Sequence, residues 1–292
     1  MRDPRLRGLL VAAAALTLLA SCSNASSTGA SPSAAPTTQA PAQLTTLKPG
    51  FITVGSCLDY APFETVKGPN PTGFDVELTD AIAAKLGYDK NHVAWQKANF
   101  NTIFTSVAQG NFDVVAAAVT ATGKTGADRA QVVSFSDYYF NSRQSLAVNP
   151  VNSPDITSPD QLGSGDSVGV QKGTTGFHWA VDNLQSKGVE VRSYTSATDA
   201  FRDLSAGNLT GIINDESSSY AIAATLTDVK VVAAIETNEK YSFAFAPTNT
   251  ALVTAWNDGL MQVIADGEYA TIFDKYFPGT PVPAEYAAAP AG

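Results

Sequence analysis

Two stretches of this chain are written in one grammar, and that repetition limits the folds open to it. Val107-Ala108-Gln109-Gly110-Asn111-Phe112-Asp113-Val114-Val115 passes from a helix end through a Gly-Asn turn into an apolar strand. Leu204-Ser205-Ala206-Gly207-Asn208-Leu209-Thr210-Gly211-Ile212 makes the same passage. Glycine past a last helical residue accepts the left-handed cap conformation, and the apolar run after it reads as a buried strand. Such units in series belong to layered α/β architecture. Two matching units predict two lobes on one plan, although a helix–glycine–strand unit is common enough to recur by chance.

The neighbouring segments extend the pattern. Phe51–Val54 predicts a strand. Leu78, Ile82 and Leu86 recur at spacing four, so residues 75–86 read as a helix stopped by Gly87. Phe100, Phe104 and Val107 mark a second helix, and Phe112–Val119 a strand buried on both faces. Further on, strands are expected at 168–170, 189–194, 209–213, 229–235 and 241–246. Helices are expected at 177–187, closed by Gly188, at 200–206, and around Leu252–Ile264 and Tyr269–Tyr276.

The N-terminus has another character. Arg2, Arg5 and Arg7 precede the apolar run Leu9–Ala20, which is shorter than the roughly 20 residues a membrane-spanning helix needs. This is the layout of a secretory signal peptide, expected over 1–21. Its end, Leu19-Ala20-Ser21-Cys22, resembles the lipobox of bacterial lipoproteins. That resemblance implies lipidation of Cys22 and a protein held at the extracytoplasmic face of the cell membrane, where two or more acyl chains anchor stably. Residues 22–45 are rich in Ser, Thr, Ala and Pro without charge and read as a flexible tether.

The 292 residues carry 18 basic and 27 acidic side chains, net −9. No basic patch stands out, so nucleic acid is not an expected partner. Two cysteines make no disulfide framework. His92 and His178 lie in separate segments without ligand spacing, so neither a metal site nor a cofactor is expected.

Across the body an ordered series of motifs appears. These are Val54-Gly55 with Tyr60-Ala61-Pro62-Phe63, then Gly73-Phe74-Asp75-Val76-Glu77-Leu78, and Phe112-Asp113-Val114. Arg129 follows, before Phe135-Ser136-Asp137-Tyr138-Tyr139; then Val168-Gly169-Val170-Gln171-Lys172-Gly173-Thr174-Thr175-Gly176; then Gly267-Glu268-Tyr269 and Tyr276-Phe277. In this order they resemble the family 3 extracellular solute-binding proteins, the polar amino-acid receptors of ABC importers. The resemblance implies a type II periplasmic-binding-protein-like fold: two α/β lobes, two crossover strands as hinge, a ligand cleft between. Carried onto this chain, lobe one is 46–140 plus 241–292 and lobe two is 141–240. It further implies a monomer that binds a free amino acid, performs no catalysis and meets ABC permease subunits.

The resemblance assigns Arg129 to the ligand carboxylate, for which a guanidinium supplies two parallel donors. It assigns Asp215 to the α-ammonium, with Glu216 beside it as a competitor. Tyr60 and Phe100 would pack on the ligand's aliphatic part, although core burial fits their pattern equally. Thr120 and Thr122 would offer hydroxyl and backbone donors, and Thr175, at a helix start, backbone amides.

Three departures bear on the ligand. Cys57 stands where members that bind basic or amide side chains carry Asp, which disfavours basic ligands unless Asp59 or Glu64 turns inward. Gln171 stands where some members have Lys, leaving Lys172 or Arg143 as substitutes. Four extra residues, 123–126, form a loop able to shift Arg129. A neutral polar side chain is the expectation and an acidic one second. Two rival readings are a cyclohexadienyl-dehydratase-like enzyme on the same fold, with Glu64, Asp59 and Asp215 as possible acids or bases, and a ligand-sensing lipoprotein serving a separate signalling partner.

Overall fold

The computed structural model describes residues 44–288. The expected signal peptide, Cys22 and all but the last two residues of the tether lie outside the described residues. In chain order the elements are β1 (Ile52–Ser56), β2 (Thr65–Lys67), β3 (Asn70–Thr72), α1 (Phe74–Lys85), β4 (Val93–Lys97), α2 (Phe100–Ala108), β5 (Val114–Val115), α3 (Gly123–Arg129) and β6 (Ser134–Val148). Then come β7 (Ser167–Gln171), α4 (Thr175–Leu184), β8 (Glu190–Tyr194), α5 (Ala197–Ser205), β9 (Gly211–Asp215), α6 (Glu216–Ala223), β10 (Lys230–Phe245), α7 (Thr250–Ala265) and α8 (Glu268–Tyr276). Among the described residues no helix is long and apolar enough to cross a membrane.

The strand order is β4-β1-β5-β10-β6-β9-β7-β8. Each end is a parallel triplet, as β1 pairs with β4 and β5, and β7 with β8 and β9. The long antiparallel strands β6 and β10 join the triplets through the middle. This is a two-lobed type II fold with two crossover strands.

The repeated grammar occupies equivalent places in the two triplets. Val114 and Val115 stand opposite Val54 and Gly55, and Gly211 and Ile212 stand opposite Val168 and Gly169. The likeness extends to the glycines of the first strands. A Cβ on Gly55 would lie 2.4 Å from the Phe112 ring, and one on Gly169 2.7 Å from Leu209 Cδ1. Phe112 and Leu209 hold the same position in the two units, so each lobe needs a residue without a side chain where its third strand enters.

Four expectations change. The strand at 112–119 pairs only over Val114–Val115, because Ala118 adopts a left-handed φ of 47° and turns the chain into the cleft. The strands at 229–235 and 241–246 are one strand, β10, interrupted by a bulge. Residues 123–126 are not a loop but the first turn of α3. Gly188 does cap its helix, but through a 3₁₀ turn over Gln185–Lys187.

Aromatic packing dominates the core behind Tyr60. Phe63 meets Phe140 at 5.1 Å between ring centroids, Phe140 meets Phe277 at 4.9 Å, and Phe277 meets Phe74 at 5.2 Å. Such offset and edge contacts add about 0.5–1.5 kcal/mol each beyond area burial. They fix the Tyr60–Phe63 turn, and through it the mouth of the cleft. Beside β7 the core is aliphatic: Leu146, Val148, Val168, Val170, Leu184 and Ile213.

Candidate functional site

The C-terminal ends of the parallel strands converge on one small, largely enclosed cavity. Strand ends at a change of sheet order are where open α/β folds hold ligands. Of the nine ligand-binding positions expected from the sequence, Cys57, Tyr60, Phe100, Thr120, Arg129, Gln171, Thr175 and Asp215 line this cavity. Thr122 does not. It is the N-cap of α3, and its hydroxyl is turned to β10, donating to the Asn238 carbonyl and accepting from Lys240 N.

Arg129 is the last residue of α3 and is only 7% exposed. Nη1 donates to the Thr120 carbonyl at 2.8 Å and Nη2 to the Gly173 carbonyl at 3.1 Å. The guanidinium carbon lies over Phe104 and Phe100, 4.7 and 5.2 Å from the ring centroids, a cation–π arrangement. Among the described residues no carboxylate forms an ion pair with it. Burial pulls its pKa down to about 10, while the charges of Asp215 and Glu239 oppose that fall.

Asp215 ends β9 and leads into α6. Its surroundings are deep, yet it keeps some accessible surface because it borders the cavity. Tyr60 Oη donates to Oδ2 at 2.5 Å and Gln144 Nε2 to Oδ1 at 2.5 Å. Burial first and the Glu239 charge second push its carboxyl up to about 7. The competitor Glu216 points away and pairs with Arg143.

Glu64 was noted in the sequence as a conditional alternative and as an acid or base of the rival enzyme reading. It is 1% exposed, lines the cavity, and neither carboxylate oxygen has a hydrogen-bond partner. Burial, then the charges of Asp75, Asp59 and Asp215, raise its pKa well above the usual range. Asp59 turns outward to Lys97 at 3.6 Å. Cys57 is buried in the cavity wall, and burial, then the Glu64 charge, hold its thiol protonated.

The remaining wall is made by backbone and short side chains. Thr174 caps α4 by accepting from Phe177 N at 3.1 Å, and Thr175 Oγ1 is buried without a partner. Gln171 donates to the Thr195 carbonyl at 3.1 Å. Asp75, invisible as a site residue from sequence, accepts from Ala118 N at 2.8 Å and Tyr139 Oη at 2.9 Å. It thereby holds the left-handed Ala118 turn that forms part of the cavity wall. Non-glycine residues in such conformations persist when their surroundings over-determine them.

A larger open groove of about 790 Å³ runs behind the crossover strands. Its charges are already engaged, Arg143 with both Glu216 and Glu236. Neither Arg143 nor the exposed Lys172 lines the enclosed cavity.

Residues 52–279 match the model of the bacterial extracellular solute-binding proteins, family 3. The chain is 28% identical over 225 residues to a probable histidine-binding protein of Campylobacter jejuni, covering 76% of this chain and 83% of that one. It is 27% identical to the ABC transporter glutamine-binding protein GlnH of Bacillus subtilis, covering 72% and 74%. The crystal structure of the arginine-, lysine-, histidine-binding protein ArtJ from Geobacillus stearothermophilus superposes with a TM-score of 0.71 at 26% identity, over 81% of this chain and 99% of that one. With the motif order, the two matched lobes and the cavity between them, the match over nearly the whole described body establishes that this chain belongs to the family 3 bacterial extracellular solute-binding proteins.

Proposed function

We propose that this protein captures a free amino acid whose side chain ends in hydrogen-bond donors, a cationic or amide group, and delivers it to an ABC importer. One observation carries the reading: a single enclosed cavity is walled by an arginine without an acidic partner and by two buried carboxyls. Arg129 takes the ligand carboxylate, Asp215 the α-ammonium, and Glu64 the far end of the side chain. Removing one partner of such a buried charge pair costs roughly 3–5 kcal/mol.

Cys57 takes away the carboxylate by which relatives with basic or amide ligands are expected to select them, and Glu64, seven residues on, offers another. Among the described residues, an acidic side chain finds no second cation in the cavity beside Arg129, since Arg143 is paired outside it and Lys172 is exposed. The relatives' names fit this class, being histidine-, glutamine- and arginine-, lysine-, histidine-binding proteins. They are also why we read the chain as a receptor rather than an enzyme. Residues 46–140 with 241–292, and 141–240, serve as the two closing lobes. Cys22 serves as the lipid anchor at the outer face of the membrane.

A thermal-shift screen against the twenty amino acids tests the reading, because a ligand that binds only the folded state raises the melting temperature. Arginine, lysine, histidine or glutamine should give the largest rise. Glutamate or aspartate in first place would overturn the side-chain assignment.

A further inference from the structure

β10 is not a plain strand at the hinge. Ile235 stands opposite Gln144 and Glu239 opposite Ser142, so four steps along β10 match two along β6. The surplus forms a bulge over residues 236–238, in which Asn238 takes a left-handed φ of 51°. Bulges re-aim side chains, and this one turns Glu239 inward until it is 2% exposed.

Three donors converge on that carboxylate. Thr120 Oγ1 reaches it at 2.6 Å, Thr237 Oγ1 at 2.6 Å and Gln144 Nε2 at 2.8 Å. The fully buried Gln144 gives the same nitrogen to Asp215 at 2.5 Å. On the other side, the carbonyl of Thr120 accepts from Arg129. A continuous chain therefore runs Arg129, Thr120, Glu239, Gln144, Asp215. Glu239 is its midpoint and does not line the enclosed cavity.

We infer that Glu239 is a positioning residue for amino-acid capture, holding Asp215 through Gln144 and Arg129 through Thr120 so that the two anchors keep their spacing while the lobes hinge. The inference rests on the reading of Arg129 and Asp215 as those anchors. Closing a bulge needs one acceptor, and the Thr237 hydroxyl supplies a local donor for it. Stability alone gives no reason to place a second buried carboxylate next to Asp215, where like charges repel. The arrangement makes sense if both ends must respond together. Asp215 is faced by Tyr60, Gln144, Tyr241 and Glu239, with Glu64 and Arg129 also within electrostatic reach. Loss of the Glu239 charge therefore lowers the pH at which Asp215 ionises.

The test is calorimetric titration of the full chain with each of the twenty L-amino acids at pH 8. The tightest binder is then followed down to pH 5 in wild type, E239Q, E239D, D215N and R129A. E239Q should bind at least about tenfold more weakly at pH 8, where Asp215 is ionised in both proteins. It should also move the midpoint of the affinity–pH curve down by about half a unit or more. E239D keeps the charge on a shorter arm and should restore the midpoint but not the affinity. If either E239Q change is missing, the inference falls: the midpoint reports the Glu239 charge at Asp215 and the affinity reports the spacing of the two anchors. Should E239Q fail to fold, Q144L cuts the same chain at its Asp215 end and is judged by the affinity loss and by a midpoint that moves up instead of down, because Asp215 loses a donor to its charged form. If R129A or D215N binds like wild type, the anchors themselves are misassigned. If both lose binding while E239Q does not, the anchors stand and only the role of Glu239 is lost. Binding of no amino acid at all overturns both readings.

Discussion

Arg129 and Arg143 carry the same guanidinium into different surroundings, one into the enclosed cavity, the other into the open groove behind the hinge. Arg143 keeps 41% of its side chain exposed and is paired with Glu216 at 2.7 Å and Glu236 at 2.5 Å. Arg129 is nearly buried and meets only two carbonyls and two aromatic faces. Taking a charge out of water without an opposite partner is expensive, which is why Arg129 is the candidate contact for a ligand's negative group. The satisfied arginine marks the larger concavity as ordinary surface. The one without a carboxylate partner is why we propose the smaller as the site.

The contrast can be broken most directly at the arginines. Arg129→Ala should abolish amino-acid binding by calorimetry, a loss above about 100-fold, while Arg143→Ala stays within about threefold, as exposed pairs contribute little. Equal effects would erase the distinction. Glu64→Gln is next. It should weaken a cationic ligand by roughly tenfold or more and leave glutamine nearly unchanged, since the amide keeps an acceptor but cannot ionise. An equal loss for both ligands would show that Glu64 shapes the wall without selecting the side chain.

A third consequence concerns stability. Asp75 and Asp215 have folded pKa values of about 6 and about 7, both raised chiefly by burial from the ordinary value near 4. Raised carboxyl values mean the folded state binds more protons than the unfolded one above pH 4. Their contribution is thus full below that pH and is lost as pH rises through 6 and 7. The ligand-free protein should melt a few degrees higher at pH 5 than at pH 8, and a scan showing the reverse would contradict the burial of these groups. The smallest effect is expected at Cys57, where Ser should change affinity by less than about threefold because the thiol carries no charge to the ligand. A tenfold change would make the thiol a direct contact.

Much of this was legible in the order of residues. The repeated helix–glycine–strand units announced the two parallel triplets because local pattern and final place agree there. Arg129 and Asp215 were found through the resemblance, Arg129 from its place before Phe135-Ser136-Asp137 and Asp215 from its place just past an expected strand, although the helix that Arg129 ends was read as a loop. Glu64 was harder, as nothing in Pro62-Phe63-Glu64 says which way the carboxylate turns. Gln144 and Glu239 were out of reach, since their partners lie far along the chain and the bulge that joins them has no local signature. β6 was missed for a related reason. Ser136, Gln144 and Ser145 are buried polar residues in its middle, and they blur the apolar pattern expected of a central strand. The short β4 and α6 escaped too, α6 because its Ser-rich start lacks a side-chain cap.

The bond from Tyr60 to Asp215 has a consequence for rates. It spans the cavity from one lobe to the other and occupies the carboxylate oxygen that an incoming ammonium would want. While that bond holds, it ties the two sides of the cavity together. A solute must wait for that latch to release, so at high concentration the observed association rate should level off at the opening rate instead of climbing with concentration. Apparent affinity is multiplied by the fraction of molecules standing open, and falls with it. Tyr60→Phe, which removes the latch but keeps the ring, should lift that plateau.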